Sequence, residues 1–382
     1  MKKYPTILLL LEWYDYRLHY GVSQAAYEFG YQVNCPRNPD FIELGAFKNG
    51  DFSGCIALSL RQQTIEALHK KNIPIVELGL EPYPTKIRRV LPDNKKVGEI
   101  ASEHFREHGY KKILSLNLTN NEMYQERIAS LKKFSEKYGA SLQVLESNIS
   151  SKNLFPELES IAASEGKTLK ESSLALFALT DVIGSNFIAK AIEYGLKVPE
   201  NIAVLGVDND TLLQNSLPIK LSSIDTNPEG IGYKAVEILH KDNLSEPLTK
   251  DKITLIKPKG VLSRLSSSIY NVENELVARA LNWIHNNFYK GIQAVDVAAA
   301  LSVSQQGLQR AFAQDHERSP GQEIRYQRVN AVAALLRQTN VQLEEISRSC
   351  GFTNPDTLIV NFREQYGITP GKYRKKFIIT SH

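Results

Sequence analysis

The sequence predicts two doubly wound α/β lobes followed by an all-α region with two helix-turn-helix units. Three observations carry that prediction. Residues 1–263 alternate short apolar runs with segments of helical periodicity, the pattern of parallel sheets covered by helices. Everything after Tyr270 reads as helical and repeats itself with a period near 50 residues. Between the two, Ser263–Tyr270 (SRLSSSIY) is serine-rich and aperiodic and reads as a linker or short connection. At 382 residues the chain is too long for one ordinary core. The expected division is a ligand-binding region over 1–265 and a helical region over 271–378.

In order, Thr6–Leu11 is a strand-like run and Leu18–Phe29 has helical spacing. Cys55–Leu60 precedes a helical stretch around Thr64–Lys71, and Ile73–Leu78 reads as another strand. Asn94–His108 is helical, with Val97, Ala101 and Phe105 on one stripe. Ile113–Leu116 is strand-like and Glu122–Tyr138 helical; Leu174–Leu179, a helix near Val182–Tyr194 and the strand Ile202–Val207 continue the alternation. In the last third, Glu275–Phe288 carries Leu276, Ala280, Trp283 and Ile284 at helical spacing.

Composition narrows the class. The hydrophobic fraction of 42% and charged fraction of 23% are those of soluble globular proteins. The N-terminus, MKKYPTILLLLEWYDY, mimics the start of a signal peptide but lacks both a long enough apolar region and a small-residue cleavage site. Ile7–Leu11 is therefore read as a buried strand. Cys35, Cys55 and Cys350 lie far apart with no CxxC pair, so reduced thiols and a cytoplasmic location are expected. Residues 264–382 hold 14 basic and 10 acidic side chains, so the whole net charge of +4 sits in the helical third.

That third holds the repeat. Leu308 and Phe312 stand four apart, as do Leu358 and Phe362 fifty residues on, and Ser319-Pro320-Gly321 recurs as Thr369-Pro370-Gly371. Val297 pairs with Ile346 at an offset of 49, so the second copy has one extra residue in its turn. Each unit reads as helix, tight turn, second helix. Ser304 is the first N-cap. Gly351 suits a left-handed turn position, Asn354 is the second cap and Pro355 fits the first helical position. With Leu308 and Phe312 inward, Gln306, Gln309 and Arg310 face outward, side chains that pair with adenine and guanine edges. A second helix of this kind enters the major groove of duplex DNA.

The final 110 or so residues resemble the DNA-binding domain of AraC-type transcription regulators, through Gly351-Phe352, Phe362-Arg363, Gly367, Thr369-Pro370 and Tyr373-Arg374. The resemblance implies seven helices, with a long central one near Pro320–Arg337 joining the two units. It places Gln306, Gln309 and Arg310 on the first set of reading positions and Asp356, Thr357 and Val360 on the second. Val360 departs from relatives with a polar or basic residue there; it can touch a thymine methyl or pack. Asp356 either accepts from cytosine N4 or favours the helix N-terminus. Arg363, Lys372 and Arg374 are expected on phosphates or local structure.

In the first two-thirds, three strand ends carry polar groups: Leu8–Arg17 (LLLEWYDYR in part), Leu174–Asp181 (LALFALTD) and Ile202–Asp210 (IAVLGVDND). Ligands of open α/β sheets sit outside the carboxyl ends of strands. Asp, Arg, Tyr and Trp there suit a sugar, whose hydroxyls pair with charged groups and whose C–H face covers an aromatic ring. Each residue also has a plainer role: Asp181 as a helix cap, Asp208 in a turn, Trp13, Tyr14 and Tyr16 as core or dimer contacts, Arg127 on a helix surface. His104 and His108 stand four apart on one helix without a third ligand, and a surface position is expected for both.

Residues 4–267 resemble the sugar-binding domain of LacI-type repressors and periplasmic sugar receptors. The supporting segments are Val90–Ile113, Tyr124–Phe134, IAVLGVDND, Leu221–Leu239 and Lys257–Ser267. The resemblance implies a two-lobed periplasmic-binding-protein-like fold closing on a ligand in the cleft. Arg127 and Asp208 match ligand-contacting positions and Asp181 a third; Asn209 and the Tyr14-Asp15-Tyr16 step complete the expected sugar set. The resemblance leads us to expect no LacI-type headpiece ahead of the first strand, its reading role being carried by the C-terminal third. A LacI-type sensor ahead of an AraC-type reader resembles regulators of xylose operons. It implies a sugar-responsive activator, xylose or a similar pentose as inducer, an operator in double-stranded DNA, a homodimer, and RNA polymerase as partner. A repressor for another sugar and a sugar carrier without gene control are the alternatives. No P-loop, no GxGxxG after a strand, no GxSxG and no HExxH occurs, so neither an enzyme, a cofactor nor a metal is expected.

Overall fold

The computed structural model of the chain describes residues 4–36, 52–80, 86–116, 121–145, 150–241, 252–270, 272 and 274–377. From the N-terminus its elements are β1 (Thr6–Leu11), α1 (Tyr16–Phe29), β2 (Gln32–Asn34), β3 (Gly54–Leu58), α2 (Gln62–Lys70), β4 (Ile75–Glu77) and β5 (Arg88–Pro92). Then come α3 (Asn94–Glu107), β6 (Lys112–Leu116), α4 (Glu122–Ser135), β7 (Ser141–Leu145), α5 (Leu154–Ala163), β8 (Leu174–Phe177) and α6 (Asp181–Glu193). β9 (Ile202–Val207), α7 (Thr211–Ser216), β10 (Ser222–Asp225), α8 (Pro228–Lys241), β11 (Lys252–Ile256) and β12 (Gly260–Leu262) complete the α/β part. The helical part is α9 (Glu275–Asn287), α10 (Ala294–Ala300), α11 (Gln305–Asp315), α12 (Pro320–Gln338), α13 (Leu343–Ser349), α14 (Pro355–Tyr366) and α15 (Pro370–Phe377).

The strands form two six-stranded sheets, ordered β11-β5-β4-β3-β1-β2 and β12-β10-β9-β8-β6-β7. Every pair in the first sheet is parallel. So are the β7-β6-β8-β9-β10 pairs of the second. The chain divides into two compact units: Met1–Lys96 with Asp225–Pro258, and Val97–Ile224 with Lys259–Thr380. The second sheet and all seven described terminal helices thus share one unit.

The first unit shows why an uninterrupted apolar run makes an inner parallel strand. Ile7, Leu9 and Leu11 enter one hydrophobic cluster and Leu8 and Leu10 another, because successive side chains leave opposite faces. On one face α1 crosses α8 at glycines. A Cβ on Gly21 would lie 2.0 Å from the Glu229 carbonyl oxygen, and one on Gly232 2.3 Å from that of Leu18. Gly21→Ala or Gly232→Ala is therefore expected to cost about 1–3 kcal/mol through overpacking. The readout is the urea midpoint of the intact chain; an unmoved midpoint would mean the helices part without penalty.

Two expectations need correcting. Of the two readings of Ser263–Tyr270 the short connection fits and the linker does not: Leu265–Ser267 forms a 3-10 turn with Ser266 and Ser267 fully buried. Ser266 Oγ donates to the Val204 carbonyl at 2.6 Å and accepts from Ser222 N at 2.8 Å. Hydroxyls that satisfy sheet backbone this way make a loop-like composition part of a core. Nor are His104 and His108 at the surface, since each is buried. The stripe of α3 beside Val97, Ala101 and Phe105 meets further protein instead of water.

Candidate functional site

Three strand ends of the second unit gather charge. Asp181 opens α6 after β8, and its carboxylate is 1% exposed. It does not cap that helix, because Thr180 does, accepting from Ile183 N. Asp181 instead ties adjacent strand ends together: Ser223 Oγ donates to one oxygen at 2.5 Å and Asp210 N to the other at 2.8 Å. Burial, with the nearby charge of Asp208, pushes its pKa up to about 7. Asp208 and Asn209 follow β9 in left-handed backbone, at φ 106° and 53°. The cap of α7 is the next residue, Asp210, which accepts from Leu212 N and Leu213 N. Asn209 is held by Ser223 Oγ on its backbone N–H and by Arg264, which donates to its Oδ1 at 2.6 Å. Asp208, between these held residues, is half-buried.

Arg127, on α4 after β6, is 3% exposed, so it is not a helix-surface residue. Its Nη1 donates to the Leu179 carbonyl at 2.6 Å. Burial lowers its pKa, and the negative field of Asp208 opposes that fall. A buried guanidinium facing a carboxylate across strand ends is an arrangement that pairs with hydroxyls, the guanidinium donating and the carboxylate accepting.

In the first unit, Asp15 caps α1, accepting from Arg17 N and Leu18 N, and also pairs with the Arg17 guanidinium at 2.8 Å. Its carboxylate is therefore already engaged. Trp13, Tyr14 and Tyr16 are exposed and not part of the core. Tyr14 Oη meets His19 Nδ1 at 3.0 Å.

The helical repeat builds two outward faces. In the first helix-turn-helix Ser304 caps α11 by accepting from Gly307 N; in the second helix-turn-helix Asn354 caps α14 by accepting from Thr357 N, with Pro355 beginning the helix. The turn before each second helix holds one left-handed residue, Ser302 at φ 56° and Gly351 at φ 77°. A Cβ on Gly351 would also lie 2.5 Å from the Phe288 carbonyl oxygen, so glycine is required there on two counts. Leu308, Phe312, Leu358 and Phe362 are fully buried. Gln306, Gln309 and Arg310 on α11, and Asp356, Thr357, Val360 and Arg363 on α14, are all exposed. Arg374 is tied down, donating to the Val341 carbonyl at 2.5 Å.

Comparison with known proteins identifies two domains. A helix-turn-helix domain model matches residues 297–376, and a periplasmic binding protein-like domain model matches residues 102–267. The chain carries both domains. It is homologous to the xylose operon regulatory proteins of Haemophilus influenzae and Escherichia coli. It is 26% identical to the first over 324 residues, 82% of each chain, and 26% identical to the second over 334 residues, 84% of this chain and 83% of that one. A solved structure of a xylose-binding transcription activator shares the fold at TM-score 0.57 and 22% identity, covering 98% of this chain and 99% of the other. A cellobiose complex of the transcriptional regulator CelR does so at TM-score 0.52 and 20% identity over 68% of this chain and 84% of that one. Among the described residues no helix is long and apolar enough to cross a membrane.

Sequence reasoning missed the contacts that the end of α3 and His108 make with Ser267 and Tyr270 and with the helix-turn-helix domain. His104 Nε2 meets Ser267 Oγ at 2.8 Å, and the His108 ring stacks on Tyr270 at 4.5 Å. Glu107 accepts from Tyr326 Oη, and Arg106 pairs with Glu317 at 3.0 Å. It also missed Arg264 and Ser223, which hold the Asp181–Asn209 array. Both lie in segments that carry the sugar-binding resemblance, Ser223 in Leu221–Leu239 and Arg264 in Lys257–Ser267, but the one sign of their role was the polar character of β10, SSID, in a strand that is buried throughout.

Proposed function

We propose that this protein is a sugar-responsive, DNA-binding transcription activator of pentose utilisation genes, with xylose as its inducer. The observation that carries the proposal is the joining of buried Arg127 and Asp181 and half-buried Asp208, in one compact unit, to two helix-turn-helix faces. Arg127, Asp181, Asp208 and Asn209 are the proposed sugar-binding residues of the second unit, and Tyr14, Asp15 and Tyr16 those of the first. Gln306, Gln309 and Arg310 are proposed to read bases, joined by Asp356, Thr357 and Val360, with Arg363 on phosphate. Residues 1–265 act as sensor and 271–378 as reader. The protein works in the cytoplasm as a homodimer, without catalysing a reaction, and delivers its signal to RNA polymerase. Sugar acts by preferring one arrangement of the chain; a preference of about 1.4–2.8 kcal/mol changes occupancy tenfold to a hundredfold.

The relatives described as xylose operon regulatory proteins support the choice of xylose. Calorimetry of the full chain with xylose, arabinose, ribose and glucose tests it. Xylose is expected to bind most tightly, and Asp208→Ala to remove the heat of binding while leaving DNA affinity without sugar unchanged. Wild-type affinity for xylose in Asp208→Ala would overturn the site, and tighter binding of another sugar would overturn the inducer.

A further inference from the structure

We propose that the second reading helix, α14, recognises thymine by its 5-methyl group through Val360 and Thr357. The inference rests on the reading of the helical domain as a DNA-binding domain. The two outward faces differ in kind. That of α11 offers Gln306, Gln309 and Arg310, all hydrogen-bonding groups, whereas that of α14 offers Asp356, Thr357 and Val360. Val360 is 57% exposed, so packing inside the domain does not explain it.

Thr357 is polar in composition but not in what it presents. Its Oγ1 donates to Asn354 Oδ1 at 2.9 Å, and its backbone N–H donates to the same oxygen at 2.8 Å. Its carbonyl accepts from Asn361 Nδ2 at 2.8 Å. The cap therefore holds the hydroxyl back toward the helix start, and the outward part of Thr357 is its methyl group. Val360 stands three residues on, on the same face. Together they form an apolar strip on a helix that otherwise carries charge. In the major groove the 5-methyl of thymine is the apolar feature that distinguishes one base from the rest. Asp356 beside the strip can accept from the N6 amino group of adenine, the base that pairs with thymine.

The test separates this inference from the one beneath it. Duplexes bound by the full-length protein are selected from a random pool, then resynthesised with deoxyuridine in place of thymidine, one position at a time. Uracil pairs as thymine does but lacks the methyl. At one or two positions its use is expected to weaken wild-type binding about fourfold, the change that burying one methyl group gives. Val360→Ala and Thr357→Ser, which keep the helix cap intact, are expected to lose part or all of that difference. A wild-type protein indifferent to every replacement overturns the proposal, as does undiminished discrimination in both variants. Failure to enrich any duplex from the pool sinks the DNA-reading assignment instead.

Discussion

Glu323→Ala is expected to lower the stability of the helical domain by about 3–5 kcal/mol, the cost of leaving buried charges unpaired. Glu323 lies on α12 and is fully buried. Arg318 Nε donates to its carboxylate at 2.6 Å, Gln327 Nε2 at 2.7 Å, and His316 Nε2 lies 3.1 Å away. Burial alone would raise its pKa, but the hydrogen bond from His316, the charge of Arg318 and the bond from Gln327 outweigh it and hold the group at about 2. Removing the carboxylate strands the Arg318 guanidinium, which lies 3.9 Å over the Tyr326 ring. The same shift fixes the acid response. The folded pKa lies below the unfolded value near 4.5, so this contribution is complete above about 4.5 and is lost as pH falls toward 2. Urea unfolding followed by circular dichroism measures both. A loss below about 1 kcal/mol would mean that solvent reaches the cluster and screens it.

Acidification from pH 6.5 to about 4 is expected to destabilise the joint between α3 and the helical domain by about 3 kcal/mol through His108 alone, at 1.36 kcal/mol per pKa unit. Burial holds His108 at about 4, against the ordinary 6.5, partly offset by the bond from its Nδ1 to the His104 carbonyl. Above pH 6.5 both folded and unfolded forms are neutral and stability is complete. Below it the unfolded chain takes a proton that the folded chain refuses, until the folded ring is charged near pH 4. His104 and His285 are lowered by burial as well and act in the same direction. Glu107 is raised by burial and opposes them, and the charge of Glu323 favours the protonated form of His108. Comparison with His108→Gln isolates the one group: its stability should fall less steeply around pH 5.5, by about one proton. Equal slopes would show that His108 titrates normally in the folded chain.

The elements legible in the sequence were those whose burial is uniform. β1 and β9 are apolar without interruption because helices cover both faces, and the doubled helix-turn-helix shows in spacing alone. Strands of mixed character escaped notice. β7 and β11 lie at sheet edges with alternating or partial exposure, and β5 begins with Arg88 and Arg89, two buried cations. The candidate site was legible in outline, because an acidic residue after an apolar run marks the end of a strand. Its internal wiring was not. That Asp181 accepts from Ser223 and that His104 meets Ser267 both depend on contacts between distant segments. No local pattern encodes such contacts.

One consequence follows from the way the first unit borrows Asp225–Pro258. Its central crossing needs α8, and its sheet edge needs β11, yet both leave the ribosome only after the whole of the second sheet apart from β12. At roughly 5–20 residues per second, the N-terminal strands wait many seconds for their covering helix. A nascent chain halted shortly before Pro228 would hold β1 and α1 with an apolar flank open to chaperones, so the half of the molecule that is made first is the half that is finished late.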